Sequence, residues 1–82
     1  MNTNLHPDQI RQLVKQIFVR LGAEPASLAE LDETLLVDHG RYVARSYATG
    51  GMMAMWLVDV GLVQFYDADG TMLRTVSLFD KP

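Results

Sequence analysis

Apolar side chains recur every three or four residues between positions 10 and 21, and this amphipathic segment constrains the fold more than any other feature. The pattern predicts a helix over residues 7–22. Its apolar face carries Ile10, Leu13, Val14, Ile17, Phe18 and Leu21. Pro7 suits the first helical turn, where a missing N–H is tolerated, and Gly22 can end the helix in a left-handed conformation. We expect the polar residues 1–6 to be frayed.

The chain after the helix is extended in character. Apolar and β-branched runs are separated by turn residues at 38–41, 50–51 and 67–70, which predicts four antiparallel strands within residues 33–79. A helix segregated from the strands is typical of the α+β class. The predicted fold is therefore α+β, with the N-terminal amphipathic helix packed on a curled four-stranded antiparallel meander. The alternative is a small β-barrel plugged by the helix. Residues 1–82 are interpreted as a single domain, because so short a chain is too small for two.

A second, shorter helix is expected between the first helix and the sheet. Pro25 disfavours helix immediately before it. Ser27 is placed to cap a helix over residues 28–32, and Glu30, three positions later, is its capping-box partner.

The third predicted strand, residues 52–66, is unusual in both length and composition. Fully extended, it would run about 45 Å, well beyond a normal strand. We therefore expect a bulge or bend at Asp59-Val60-Gly61, with the first half paired to strand two and the second half to strand four. Alternation places Met53, Met55 and Leu57 on one face and Met52, Trp56 and Val58 on the other. One helix covers only one face, so the second apolar face predicts a homodimer.

The sequence carries no pattern that is typical of an active site or a cofactor site. There is no cysteine, and no nucleophile elbow, Walker sequence or dinucleotide fingerprint is present. Asp67 and Asp69 lack the ligand spacing of a calcium loop and are interpreted as turn formers. Asp59 could act as a general base, but the favoured interpretation is a polar side chain that bonds to the backbone at the bend. Met53 and Met55 could bind copper(I), but the favoured interpretation is ordinary hydrophobic packing. We expect no enzymatic activity, no cofactor and no metal.

A basic and aromatic face on the second strand gives the candidate binding residues. Arg41, Arg45 and Tyr47 alternate along that strand and so share one side. Trp56 on the third strand and Arg74 on the fourth complete the set, and the approach of Arg74 depends on the strand register. Arginine and aromatic side chains on an open sheet can hold phosphates and stack bases. Single-stranded nucleic acid or a small ligand is therefore the alternative partner. The acidic balance, with 10 Asp+Glu against 7 Lys+Arg, disfavours nucleic acid.

The leading hypothesis is a small, non-enzymatic protein-interaction module that is homodimeric through an apolar sheet face. Its further protein partner is not identified by the sequence. The first residues lack the pattern of a signal peptide, and the longest apolar run falls short of a membrane helix. We therefore expect a cytoplasmic protein with no membrane association.

Overall fold

A computed structural model of the protein describes residues 6–78. In that part of the chain the elements are α1 (Pro7–Arg20), a 3₁₀ helix (Pro25–Glu30), β1 (Asp32–Asp38), β2 (Arg41–Thr49), β3 (Met52–Leu57), β4 (Leu62–Tyr66) and β5 (Met72–Ser77). The strands form one open antiparallel sheet in the order β1-β2-β3-β4-β5. The predicted α+β meander with a packed helix is confirmed. The closed barrel is wrong for the described residues, since β1 and β5 do not pair with each other. Residues 1–5 of the predicted frayed segment and Phe79 of the last predicted strand lie outside the described residues.

Helix α1 is fixed at both ends by local interactions. At its start the ring of His6 accepts a hydrogen bond from the backbone N–H of Asp8, and the side chain of Gln9 accepts one from the N–H of His6 at 2.8 Å. At its end Leu21 is the capping residue, and Gly22 has a φ of +113°. That left-handed conformation suits glycine, so the helix stops two residues before the predicted boundary.

The hydrophobic core lies between α1 and one face of the sheet. The buried residues of α1 are Ile10, Val14, Ile17 and Phe18, and those of the sheet are Tyr47, Ala54, Trp56, Val63 and Phe65. The rings of Phe18 and Phe65 meet edge to face, with centroids 5.6 Å apart and planes at 89°. This geometry is one that aromatic pairs prefer, and it anchors the helix over β4.

The short helix differs from its prediction in position and in capping. It begins at Pro25, because proline is tolerated as the first helical residue, and it ends at Glu30. The prediction of a helix over 28–32 capped by Ser27 is therefore wrong. The Ser27 hydroxyl donates to the carbonyl of Glu24 at 2.8 Å, and the Ser27 carbonyl accepts from the hydroxyl of Thr49 at 2.8 Å. The hydrogen bond from Thr49 connects this helix to β2.

The sheet has five strands rather than the predicted four, because residues 52–66 form a hairpin. Met53 opposes Tyr66 and Leu57 opposes Leu62, so the two halves pair with each other. Gly61 adopts a φ of +67° and its N–H donates to the carbonyl of Leu57 at 2.9 Å, which closes the turn. A single strand of about 45 Å would also exceed the longest dimension of the molecule, 35 Å. The expected outer pairings, with β2 and β5, are confirmed.

Candidate interaction surface

The strand register assigns every side chain of the central strands to one of two faces. Residues that lie directly opposite each other on neighbouring strands point to the same side. Ala54 and Trp56 belong to the core under α1, so Met53, Met55 and Leu57 point away from it. The sequence predicted that these three residues lie on the face opposite Trp56. We call "the outer face" these three residues and their partners on β2 and β4, which are Ala44, Ser46, Ala48, Leu62, Gln64 and Tyr66.

The outer face is uncharged and separate from the core cluster under α1, but most of it is half-buried: Met53 is its one exposed residue and Ala44 is buried. None of its nine residues is Asp, Glu, Lys or Arg, and none belongs to the core cluster under α1. The same side of the sheet continues onto β1 through the exposed Leu36, which opposes Ala44, and ends at a charged residue, Asp32, which opposes Ala48. Its two long polar side chains bond to each other, since the hydroxyl of Tyr66 donates to Gln64 Oε1 at 2.9 Å. The face therefore presents apolar surface with little unsatisfied polarity.

A polar network, by contrast, lies between α1 and the first two strands. Both carboxylate oxygens of Glu33 are used. Oε1 accepts from Arg11 Nε at 3.1 Å and Nη2 at 2.9 Å, and Oε2 accepts from Arg45. Burial raises the pKa of Glu33, but the hydrogen bonds and charges of the two arginines outweigh that effect and leave the pKa below its ordinary value. Glu33 thus links the helix to both strands as a carboxylate.

Two buried polar atoms next to this network have no hydrogen-bond partner among the described residues. They are the hydroxyl of Tyr47 and the indole nitrogen of Trp56. Burial raises the pKa of Tyr47 to about 12, and the carboxylate of Glu33, which lies near the hydroxyl without the geometry of a hydrogen bond, raises it further. The guanidinium of Arg45 lies 5.9 Å from the centre of the Trp56 ring, within the range of a cation–π interaction. The network is packed against the core and offers these groups little access to a ligand.

The five predicted binding residues do not form one open surface. Arg41, Arg45 and Tyr47 do share one side of β2, but that side carries α1, so Tyr47 and Trp56 are buried and Arg45 is engaged by Glu33. Arg74 opposes Phe65 on the exposed strand β5. Binding of nucleic acid or a small ligand on this face stays a prediction, with no observation in its favour.

Sequence reasoning did not select Glu33 and Arg11. No local signal marks them, because Glu33 lies 22 positions from Arg11 and 12 from Arg45. The tertiary fold alone brings the three side chains together.

The acidic residues of the turns have structural roles. Asp59 is exposed in the β3–β4 turn and lies 3.5 Å from Arg41, so its apolar neighbours do not enclose it. Asp67 Oδ1 accepts from the backbone N–H groups of Asp69 and Thr71 at 2.9 and 3.0 Å, which confirms a turn former. Within residues 6–78, no three histidine or acidic side chains converge on a position that could hold a metal ion.

A groove of about 740 Å³ lies at the end of the sheet where β1 begins. It is bounded by the β2–β3 and β4–β5 turns, and its apolar lining includes Ala48, Met53 and Tyr66 of the outer face. Glu30 and Asp32 contribute carboxylates to its wall, and neither forms an ion pair with a described residue. The groove thus joins the outer face to the edge of β1 and is acidic at that junction.

Comparison of the chain with protein-family models, with curated proteins and with solved structures finds no match. In residues 6–78, no helix has the length and apolar character needed to cross a membrane. The function is therefore inferred from the residues and their arrangement.

Proposed function

We propose that this protein is a non-enzymatic protein-interaction module that forms a homodimer through its outer face. The observation that carries the proposal is the uncharged outer face, which has the composition of a core layer but lies outside the core. Contiguous apolar surface of this kind on a small domain marks an interaction site. A cytoplasmic setting belongs to the proposal and rests on the sequence alone.

The composition of the outer face favours a second copy of this chain as the occupant. Two identical faces related by a two-fold axis bring apolar surface against apolar surface and place no like charges opposite each other. Interface centres are depleted in charged residues and enriched in methionine and tyrosine. Met53, Met55 and Tyr66 supply both residue types at the centre of the sheet.

The size of the face sets what a dimer must bury. Three strands about 4.8 Å apart and about six residues long give a face of roughly 14 by 20 Å. Two such faces present about 600 Å² in flat projection, and stable interfaces bury about 1,000 Å² or more in total, so side-chain relief and the neighbouring strands β1 and β5 must supply the rest. Covering the face costs little polar desolvation, because Tyr66 and Gln64 already bond to each other.

A charge at the centre of the outer face tests this proposal. Met55 lies between Ser46 and Gln64 in the middle of the central strand. We expect Met55→Lys to raise the dimer dissociation constant at least about thirtyfold, because it buries two unpaired charges at the two-fold axis. Sedimentation velocity over a range of concentrations measures the change, and far-UV circular dichroism verifies that the fold is retained.

Val60→Lys is the matched control, since Val60 is an exposed residue of the β3–β4 turn. It should leave the dissociation constant within about twofold of the parent. A parent protein that stays monomeric at high micromolar concentration, or a Met55→Lys variant that dimerises as well as the control, would contradict the proposal.

A further inference from the structure

We propose that the free edge of β1 binds an extended segment of a partner protein, which joins the sheet as a sixth strand and carries a basic residue at its carboxyl end. Among the described residues β1 pairs with β2 alone. Half of its backbone N–H and C=O groups therefore point outward without a strand partner. Such an edge is a ready template for a further strand, in which main-chain hydrogen bonds supply affinity.

The edge of β1 is protected in part, since its two ends are acidic and Glu33 directs its charge inward, but the middle of the strand is open aliphatic surface. Leu35, Leu36 and Val37 are three consecutive exposed aliphatic residues, with 42%, 40% and 56% of their surface accessible. The strand contains neither lysine nor proline, the residues that most often block edge pairing. A bulge between Leu36 and Val37 interrupts the register with β2, so the regular part of the edge runs over residues 32–36.

Charge at the start of β1 defines the chemistry of the partner. Asp32 opens the strand, and Glu30 precedes it on the wall of the groove described above. Both side chains are exposed and neither has a cationic partner among the described residues. A lysine or arginine placed there would find two carboxylates, and its aliphatic stem would lie on the apolar lining of the groove. Because β1 begins at Asp32, a strand added antiparallel to β1 would end there, with its carboxyl end beside the two carboxylates.

The same charges argue against a second copy of this chain at the edge. Two β1 strands in full antiparallel register would place Asp32 opposite Asp38, and like charges directly opposite each other destabilise a sheet. Strand β5 fits no better, because its only charged residue, Arg74, lies mid-strand and would face Leu35 rather than a carboxylate. The main-chain groups of the β1 edge lie beside the outer face rather than in it, although Leu36 and the groove adjoin that face, so edge binding does not require the proposed dimer.

Labelled peptides test the inference directly. The probe is a fluorescein-labelled peptide of about eight residues with alternating valine and threonine and a lysine at its carboxyl end. We expect saturable binding by fluorescence anisotropy, weakened at least about tenfold when the lysine is moved to the amino end or replaced by glutamate. Methylation of alternate backbone nitrogens, on the edge that would face β1, should abolish binding because it removes the main-chain donors.

Protein variants locate the site. The double variant Glu30→Gln/Asp32→Asn should raise the peptide dissociation constant about two- to twentyfold, the sum expected for two exposed ion pairs. Glu24→Gln is the matched control, because Glu24 is exposed and its side chain does not cap the 3₁₀ helix. It should leave the constant unchanged.

Three results would overturn the inference. They are the absence of binding by the lysine peptide, equal binding by the methylated peptide, and equal weakening by Glu24→Gln. Met55→Lys, the variant that tests the dimer, should bind the peptide as the parent does. Failure of the dimer and failure of the edge site are therefore distinguishable.

Discussion

Removing the charge of Glu33 should destabilise the fold, because its carboxylate is shared by the two arginines of the network. Glu33 accepts hydrogen bonds from Arg11 on α1 and from Arg45 on β2. Glu33→Gln keeps the size of the side chain and one carbonyl acceptor. It leaves the guanidinium of Arg45 without an anion, and that of Arg11 keeps only Asp8, at 2.9 Å. The substitution therefore isolates the charge from the packing.

The expected magnitude follows from the burial of the pair. Exposed ion pairs contribute about 0–1 kcal/mol, whereas breaking a buried pair costs about 3–5 kcal/mol. The side chains of Glu33 and Arg45 are 20% and 18% exposed, so this pair lies between the two limits. The link to Arg11 is more solvated and adds less. We expect a loss of about 2 kcal/mol at neutral pH, which corresponds to roughly 10 °C in the melting temperature of a domain of this size.

The effect should depend on pH with a defined sign. The pKa of Glu33 in the folded protein lies below its ordinary value of 4.5. Its contribution is therefore fully present above the pKa of the unfolded chain and is lost as the pH falls through the folded pKa. The difference in unfolding free energy between parent and Glu33→Gln should stay constant from about pH 7 to about pH 5 and then shrink as the pH falls towards about 2.

Urea unfolding at a series of pH values, followed by Trp56 fluorescence at one protein concentration, measures this difference. Glu24→Gln, the same chemical change at an exposed position, should stay within about 0.5 kcal/mol of the parent. The reasoning is refuted if Glu33→Gln loses less than about 0.5 kcal/mol at neutral pH, or if its deficit is the same at acid pH.

Two further predictions concern the core. Phe18→Ala should lower the unfolding free energy by about 3 kcal/mol or more, because Phe18 is fully buried against Phe65; an unchanged urea midpoint would contradict the packing of α1 on the sheet. Tyr47→Phe should be neutral or stabilising at pH 7, since the hydroxyl it removes has no partner among the described residues, and a loss above about 2 kcal/mol in urea unfolding would show that the hydroxyl is bonded. The pKa of Tyr47 is raised to about 12, so parent stability should fall as the pH rises from about 10 to about 12, and the variant should lack this part of the alkaline loss.

The parts of the fold that sequence reasoning predicted correctly depend on neighbouring residues. The helix is encoded by apolar spacing, by Pro7 at its start and by Gly22 after its end, all within one segment. The alternation along β2 likewise placed Arg41, Arg45 and Tyr47 on one side. The role of Asp67 in its turn could also be predicted, because its carboxylate accepts hydrogen bonds from backbone groups only two and four residues away.

The errors concern contacts between distant residues. The segment Asp59-Val60-Gly61 is compatible with a bend within one strand or with a turn that reverses the chain direction. The pairing of β3 with β4 shows that it forms the turn. The choice of which side of β2 is covered by α1 also depends on contacts between distant residues. Residues predicted to form a binding face therefore lie in or next to the core. Glu33 belongs to the network only because the fold brings Arg11 of α1 to within 2.9 Å of its carboxylate.

The sequence by itself therefore determined that this chain has one amphipathic helix, a meander of strands and an apolar face that one helix cannot cover. Periodicity and turn residues carry that information, since they act through bonds between near neighbours. Only the tertiary structure decided the number of strands, the partners of Arg45 and the position of the uncharged outer face. Those depend on the register between strands and on the face that the helix packs against, and both are set by burial summed over the whole chain.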